Sequence, residues 1–159
     1  MKQIIPNLWF DGQAEQAAEF YVSVFPDSRV RSIARYPEGA PGPTGSVMTV
    51  EFELFGQPFV GVNGGPAFPF TEAVSFQVPC ADQAEVDHYW AVLTDGGQEG
   101  QCGWLTDRFG LSWQVVPDGM DEVFADPDPA RAQRAVQAMM QMTKLDVDAL
   151  RRAADGVPV

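Results

Sequence analysis

Gln13, Ala14 and Glu15, followed by Phe20, recur as Gln83, Ala84 and Glu85, followed by Trp90, at an offset of 70 residues. Phe55, Gly56, Phe59 and Val62 recur as Phe109, Gly110, Trp113 and Val116 at an offset of 54. Both offsets run the same way, and in both copies the helical match precedes the extended one. The chain therefore reads as a duplicated unit whose first copy holds 16 more residues between its matching blocks. Much of that excess is assigned to Tyr36–Gly45, where Pro37, Gly39, Pro41, Gly42, Pro43 and Gly45 sustain neither helix nor central strand. Two copies of a half-open sheet that close on each other leave a pocket between them.

Within the first copy, Gln3 to Phe10 reads as a strand, followed by a turn at Asp11 and Gly12. Ala14, Ala17, Ala18, Tyr21 and Phe25 then fall at helical steps until Pro26 stops them. Arg29 to Tyr36 suits a second strand. A third follows with Met48, Val50, Phe52 and Leu54 on one side and Thr49, Glu51 and Glu53 on the other. Phe59 to Asn63 makes a fourth, ending at Gly64, Gly65 and Pro66, a turn that needs positive φ.

The second copy starts near Glu72, with Val74, Phe76 and Val78 alternating against Ala73, Ser75 and Gln77. Asp82 is placed to cap a helix with Val86, Tyr89, Trp90 and Leu93 on one side, and Gly96 with Gly97 ends it. Strands are expected around Gln101 to Leu105 and Leu111 to Val116. Beyond Pro117 the pattern turns helical: Asp128 caps, Pro129 enters the first turn, and Ala132, Val136, Met139, Met140 and Leu145 form an apolar stripe. The methionines in it suit core or a dimer contact, and Pro158 lies in an end expected to fray. The fold class is α+β: tandem βαβββ modules over 1–66 and 70–117 forming a cupped mixed sheet, with a helical extension over 118–159, in one structural domain.

A formal charge of −12, from 10 basic and 22 acidic residues, argues against nucleic acid and anionic membrane partners, both of which need clustered Lys and Arg. The sequence shows no export signal and no apolar run of spanning length, so a cytoplasmic location is expected. Cys80 and Cys102 form neither a disulfide framework nor a metal-ligand pair and suit buried small side chains.

The strand, helix and strand-rich tandem resembles the vicinal oxygen chelate superfamily, which includes glyoxalases, extradiol dioxygenases and bleomycin-resistance proteins. Particular words are similar to its PhnB-like branch: Leu8–Gly12 with Ala14, Ala18, Phe20 and Tyr21; Asn63–Pro66; Phe70–Glu72; Cys102–Leu105 with Asp107 and Phe109–Gln114. Asp126–Pro129 with Ala132–Ala135 and Lys144–Asp146 extend the likeness into the tail. Members of that branch are often labelled 3-demethylubiquinone 3-methyltransferase. A glycine loop that opened a helix would suit S-adenosylmethionine, but Gly61, Gly64 and Gly65 run on to Pro66, Phe68 and Pro69. The resemblance also implies a homodimer, because cups in this superfamily are commonly completed between two chains.

Metal-dependent relatives take ligands at positions that fall near Gln3 or Pro6, Val60, Ala73 or Phe76, and Gln114, and most of these side chains bind no metal. The single histidine, His88, falls in the second helix, where a solvated imidazole is expected. Glu51, Glu53 and Glu72 suit at most a hard cation. No metal and no cofactor is expected.

If the apolar strand faces pack under the helices, Thr49, Glu51, Glu53, Ser75, Gln77, Ser112 and Gln114 line the cup. Trp9, Phe59, Trp104 or Trp113 then serve as walls for a small organic ligand. Glu51 or Glu53, half buried with a raised pKa, would serve as a general base. The leading reading is a metal-independent small-molecule-binding protein. The alternative is an isomerase, lyase or transferase using a strand glutamate, and methyl transfer to a ubiquinone precursor ranks last.

Overall fold

A computed structural model describes residues 2–157, so the fraying expected at Pro158 lies outside the described residues. The fold is α+β, with two four-stranded mixed sheets and helices. It divides at Phe70 and Thr71 into two compact units. The first contains β1 (Asn7–Phe10), α1 (Ala14–Val24), β2 (Arg29–Arg35), β3 (Val47–Leu54) and β4 (Gln57–Asn63). The second contains β5 (Ser75–Cys80), α2 (Gln83–Thr94), β6 (Gln98–Glu99), β7 (Trp104–Thr106) and β8 (Ser112–Pro117). It continues into α3 (Met120–Phe124), α4 (Pro129–Met139) and α5 (Val147–Ala154).

Both sheets have one plan. Their orders are β1-β4-β3-β2 and β5-β8-β7-β6, with the first pair of each parallel and the others antiparallel. The repeated words thus fold into the same topology twice. The first copy's extra residues are shared differently from expectation. β2 and β3 have 7 and 8 residues where β6 and β7 have 2 and 3, so longer strands take up much of the excess alongside the loop.

In the first unit, Val50, Phe52 and Leu54 of β3 bury against Ala14, Ala17, Ala18 and Tyr21 of α1. That apolar side drives the docking, since each large side chain removed from water contributes about 1.5–3 kcal/mol. The first strand starts at Asn7 instead of Gln3. Pro6 carries no N–H for the ladder, its carbonyl accepts from the Val60 N–H, and Ile4 and Ile5 stay exposed. α1 has no side-chain cap of its own; Asn63 Oδ1, from the end of β4, accepts from the Ala14 N–H at 2.9 Å.

In the second unit, Asp82 caps α2 by accepting from the Glu85 N–H, while the Glu85 carboxylate accepts from the Ala81 N–H. Asp107 is 3% exposed and organises the turn into β8. Its Oδ1 accepts from the Phe109 and Leu111 N–H groups at 2.8 and 3.1 Å, and its Oδ2 from Trp113 Nε1 at 2.9 Å. Asp128 and Asp146 cap α4 and α5. The expected stripe is rotated: Ala135, Ala138 and Met139 turn inward, whereas Val136 and Met140 are 40% and 57% exposed. The inward face is fixed by a cluster of Met120, Leu145 and Leu150, of which the expected stripe held only Leu145. The Cys102 and Gly103 N–H groups donate to Met142 O and Thr143 O, joining the helical segment to the turn before β7.

Candidate functional site

In each unit one side of the sheet is covered by its helix and the other is polar. Register in the first unit aligns Trp9 with Val62 and Val62 with Thr49, then Glu51 with Val60 and Glu53 with Pro58. Trp9, Thr49, Glu51 and Glu53 therefore share the side opposite Phe52. A hollow of about 370 Å³ there is bordered by Ile5, Arg31, Glu51, Glu53 and Val60. Trp9 is partly occupied: its Nε1 donates to Gly65 O at 2.8 Å and Phe68 packs edge-on at 5.0 Å.

Phe59 is not the expected wall. It borders the hollow, but it is 6% exposed and its ring stacks on Phe52 at 5.5 Å, on the helix side with Tyr21. Nor is Glu53 the expected base. Arg31 and Arg29 both donate to its carboxylate, brought together by the bulge between Val30 and Ser32. The Arg31 hydrogen bond, with help from Arg29, holds this carboxyl below its ordinary value, the opposite of what proton abstraction requires. Glu51 is exposed and accepts from Ser32 Oγ at 3.0 Å.

A lowered carboxylate pKa stabilises the fold above the unfolded-state value, and the effect is lost as pH falls through the folded value. Acid unfolding of Glu53→Gln is therefore expected to lose part of its steepness below the ordinary glutamate value of 4.5, with neutral-pH stability slightly reduced. Matching stability-against-pH curves for the two proteins would contradict the Arg–Glu–Arg arrangement.

In the second unit, Ser75 pairs with Ser112, Gln77 with Gln114, Trp104 with Gln114, and Thr106 with Ser112. Five of the six residues expected in this unit, Ser75, Gln77, Trp104, Ser112 and Gln114, lie on one side. Gln114 Nε2 donates to Ser75 Oγ at 2.9 Å, Gln77 is exposed, and Ser112 is 2% exposed. A hollow of about 350 Å³ is bordered by Trp104, Thr106 and Ser112, with Glu72, Gln98 and Gln101 around it. Gln98, Gln101 and Thr106 were not singled out from the sequence; β6, at two residues, is too short to leave a pattern. Trp113 belongs to the other side, paired with Leu105 and Phe76 and bonded to Asp107.

The residues do not fit the divalent ion of metal-dependent relatives. Val60 and Phe76 offer no donor, Gln114 offers only a neutral amide oxygen, and among the described residues no three His, Cys, Asp or Glu side chains gather. His88 is exposed on α2 beside Tyr89. Cys80 is buried, and burial pushes its thiol up to about 12, so it is no nucleophile at neutral pH. Among the described residues no helix is long and apolar enough to cross a membrane.

Residues 2–116 match the family described as 3-demethylubiquinone-9 3-methyltransferase. A PhnB protein from Bacillus cereus, provisionally given that same methyltransferase name, is 35% identical. The match covers 73% of this chain and 99% of that one, with a TM-score of 0.67. Protein PA1353 from Pseudomonas aeruginosa, 21% identical over 74% of this chain and 98% of its own, has a TM-score of 0.61. The fosfomycin resistance protein FosX from Mesorhizobium loti, 14% identical over 78% and 97%, has a TM-score of 0.54. These last two share the fold. No curated protein matches the chain. With its family match, a relative at 35% identity and its doubled βαβββ fold, the chain belongs to the PhnB-like branch of the vicinal oxygen chelate superfamily.

Proposed function

We propose that this protein binds a small organic molecule without a metal ion, on the polar side of the second unit's sheet. The observation that carries this reading is the hollow in which the Trp104 indole stands beside the Thr106 and Ser112 hydroxyls. An aromatic wall with a few hydrogen-bonding groups is the composition of a site that stacks a planar ligand and fixes its orientation. Trp104 is favoured over Trp9, whose ring is already partly covered by Phe68. Catalysis by a strand glutamate has less support, because Glu53 is held charged by two arginines. Methyl transfer has less still: Gly64 and Gly65 lead into a turn and then β5, not into the helix that a glycine loop holding S-adenosylmethionine would open. Pairing of two chains and a cytoplasmic location belong to the same proposal.

Native mass spectrometry of the purified protein tests it. The wild type is expected to retain a small organic molecule, directly or after incubation with a metabolite extract, and Trp104→Ala to bind the same molecule about tenfold or more weakly. Undiminished retention by Trp104→Ala would move the site elsewhere, and a wild type that takes up nothing would end the binding reading. S-adenosylmethionine at millimolar concentration is expected to give no heat in calorimetry.

A further inference from the structure

A hollow of about 500 Å³ in the first unit lies beside the loop between β2 and β3 and is built by other residues than the Trp104 site. Asp11 and Glu15, from the turn after β1 and the first turn of α1, stand on one side. Tyr36, Pro41 and Pro43 of the loop stand on another, with Asn63 at the end of β4 closing the hollow. The second unit has no counterpart of this loop, since only residues 100–103 separate β6 from β7.

Asn63 joins the walls. Its Oδ1 accepts from the Ala14 N–H, its Nδ2 donates to Val47 O at 3.1 Å, and its carbonyl accepts from the Tyr36 hydroxyl at 2.6 Å. Gly42 lies flat on the Tyr36 ring, where a Cβ would come within 2.4 Å of it. The ring is thus fixed before any ligand arrives, which lowers the ordering cost of binding.

The border holds two carboxylates, an aromatic ring and two proline rings, with neither Lys nor Arg. The leading N–H of α1 is already taken by Asn63, which weakens the usual attraction of a helix start for anions. We infer that this hollow binds an organic cation, an ammonium or amidinium carried on a compact apolar body. The charge faces Asp11 and Glu15, and the body lies against Tyr36, Pro41 and Pro43. Carboxylates set the sign of the ligand, while the ring adds attraction for a cation and the prolines add apolar contact.

Benzamidinium is a suitable probe, with benzamide and benzoate as neutral and anionic controls of the same shape. In amide NMR, benzamidinium is expected to shift residues 11–16 and 36–47 with Kd of about 1–10 mM, as befits a fragment of its size. The two controls bind at least about tenfold more weakly. Asp11→Asn with Glu15→Gln, both outside the buried core, lowers benzamidinium affinity about tenfold while leaving the fold intact. Trp104→Ala leaves it unchanged, which separates this site from the one proposed above. Equal binding of benzamide or benzoate, shifts outside those two segments, or no shifts at about 20 mM would each overturn the inference.

Discussion

Asp107→Ala is expected to unfold this protein at far lower denaturant than the wild type, with a loss of about 3–5 kcal/mol in urea titration. The side chain is buried and serves three donors: two backbone N–H groups that shape the turn into β8 and the Trp113 indole. Alanine leaves all three without that acceptor in a space that excludes water, and each orphaned buried group costs about 1–3 kcal/mol. Asp107→Asn separates the contributions. An amide oxygen still serves the backbone pair, but its NH₂ meets the indole N–H donor to donor, so an intermediate loss is expected. Adding Trp113→Phe to Asp107→Asn removes that conflict and recovers part of the loss, less whatever the smaller ring costs in packing. A loss below about 1 kcal/mol for Asp107→Ala would mean that the three bonds are not what holds the turn.

Gly103→Ala is the second large effect, expected at about 2–4 kcal/mol from two sources. Gly103 sits at φ +81°, where a side chain costs about 1–2 kcal/mol. A Cβ there would also stand 2.9 Å from both Leu145 Cδ1 and Val115 O, and overpacking of this kind costs about 1–3 kcal/mol. The side chain can yield but the carbonyl cannot, because Val115 is held in β8 and its N–H donates to Gly103 O. Hydrogen exchange gives the sharper test. Protection is expected to fall first at Gly103 and Cys102, whose N–H groups reach the segment carrying Leu145, while α1 is unaffected. Uniform loss across both units would contradict a local origin.

Much of this arrangement was legible because strands alternate. Thr49, Glu51 and Glu53, and likewise Ser75, Gln77, Ser112 and Gln114, fall on one side by period alone. The duplication was legible because the helix and turn words survive at constant offsets. Phe59 was not, since Phe59 to Val62 is apolar at nearly every position and only pairing with Phe52 decides which way the ring faces. Trp113 was misjudged against the same alternation that placed Ser112 and Gln114. The low Glu53 pKa depends on a bulge that brings Arg29 and Arg31 to one carboxylate, and single-residue slips of register leave no trace in composition. On α4 the buried face is chosen by Met120, Leu145 and Leu150, which lie outside the helix's own periodicity. The Pro/Gly loop announced a break, but nothing local told that Asn63 would tie it into a wall.

The order β1-β4-β3-β2 also has a consequence for synthesis. β1 leaves the ribosome first, yet its hydrogen-bonding neighbour is β4, with Asn7 waiting for Val60. Until those residues emerge, Leu8 and Phe10 have no sheet to join, while β2 and β3 can already zip as a hairpin. The nascent first half therefore closes from its middle outward, and its earliest strand is the last to be sheltered, which is the interval in which a chaperone or a misplaced neighbour competes for it.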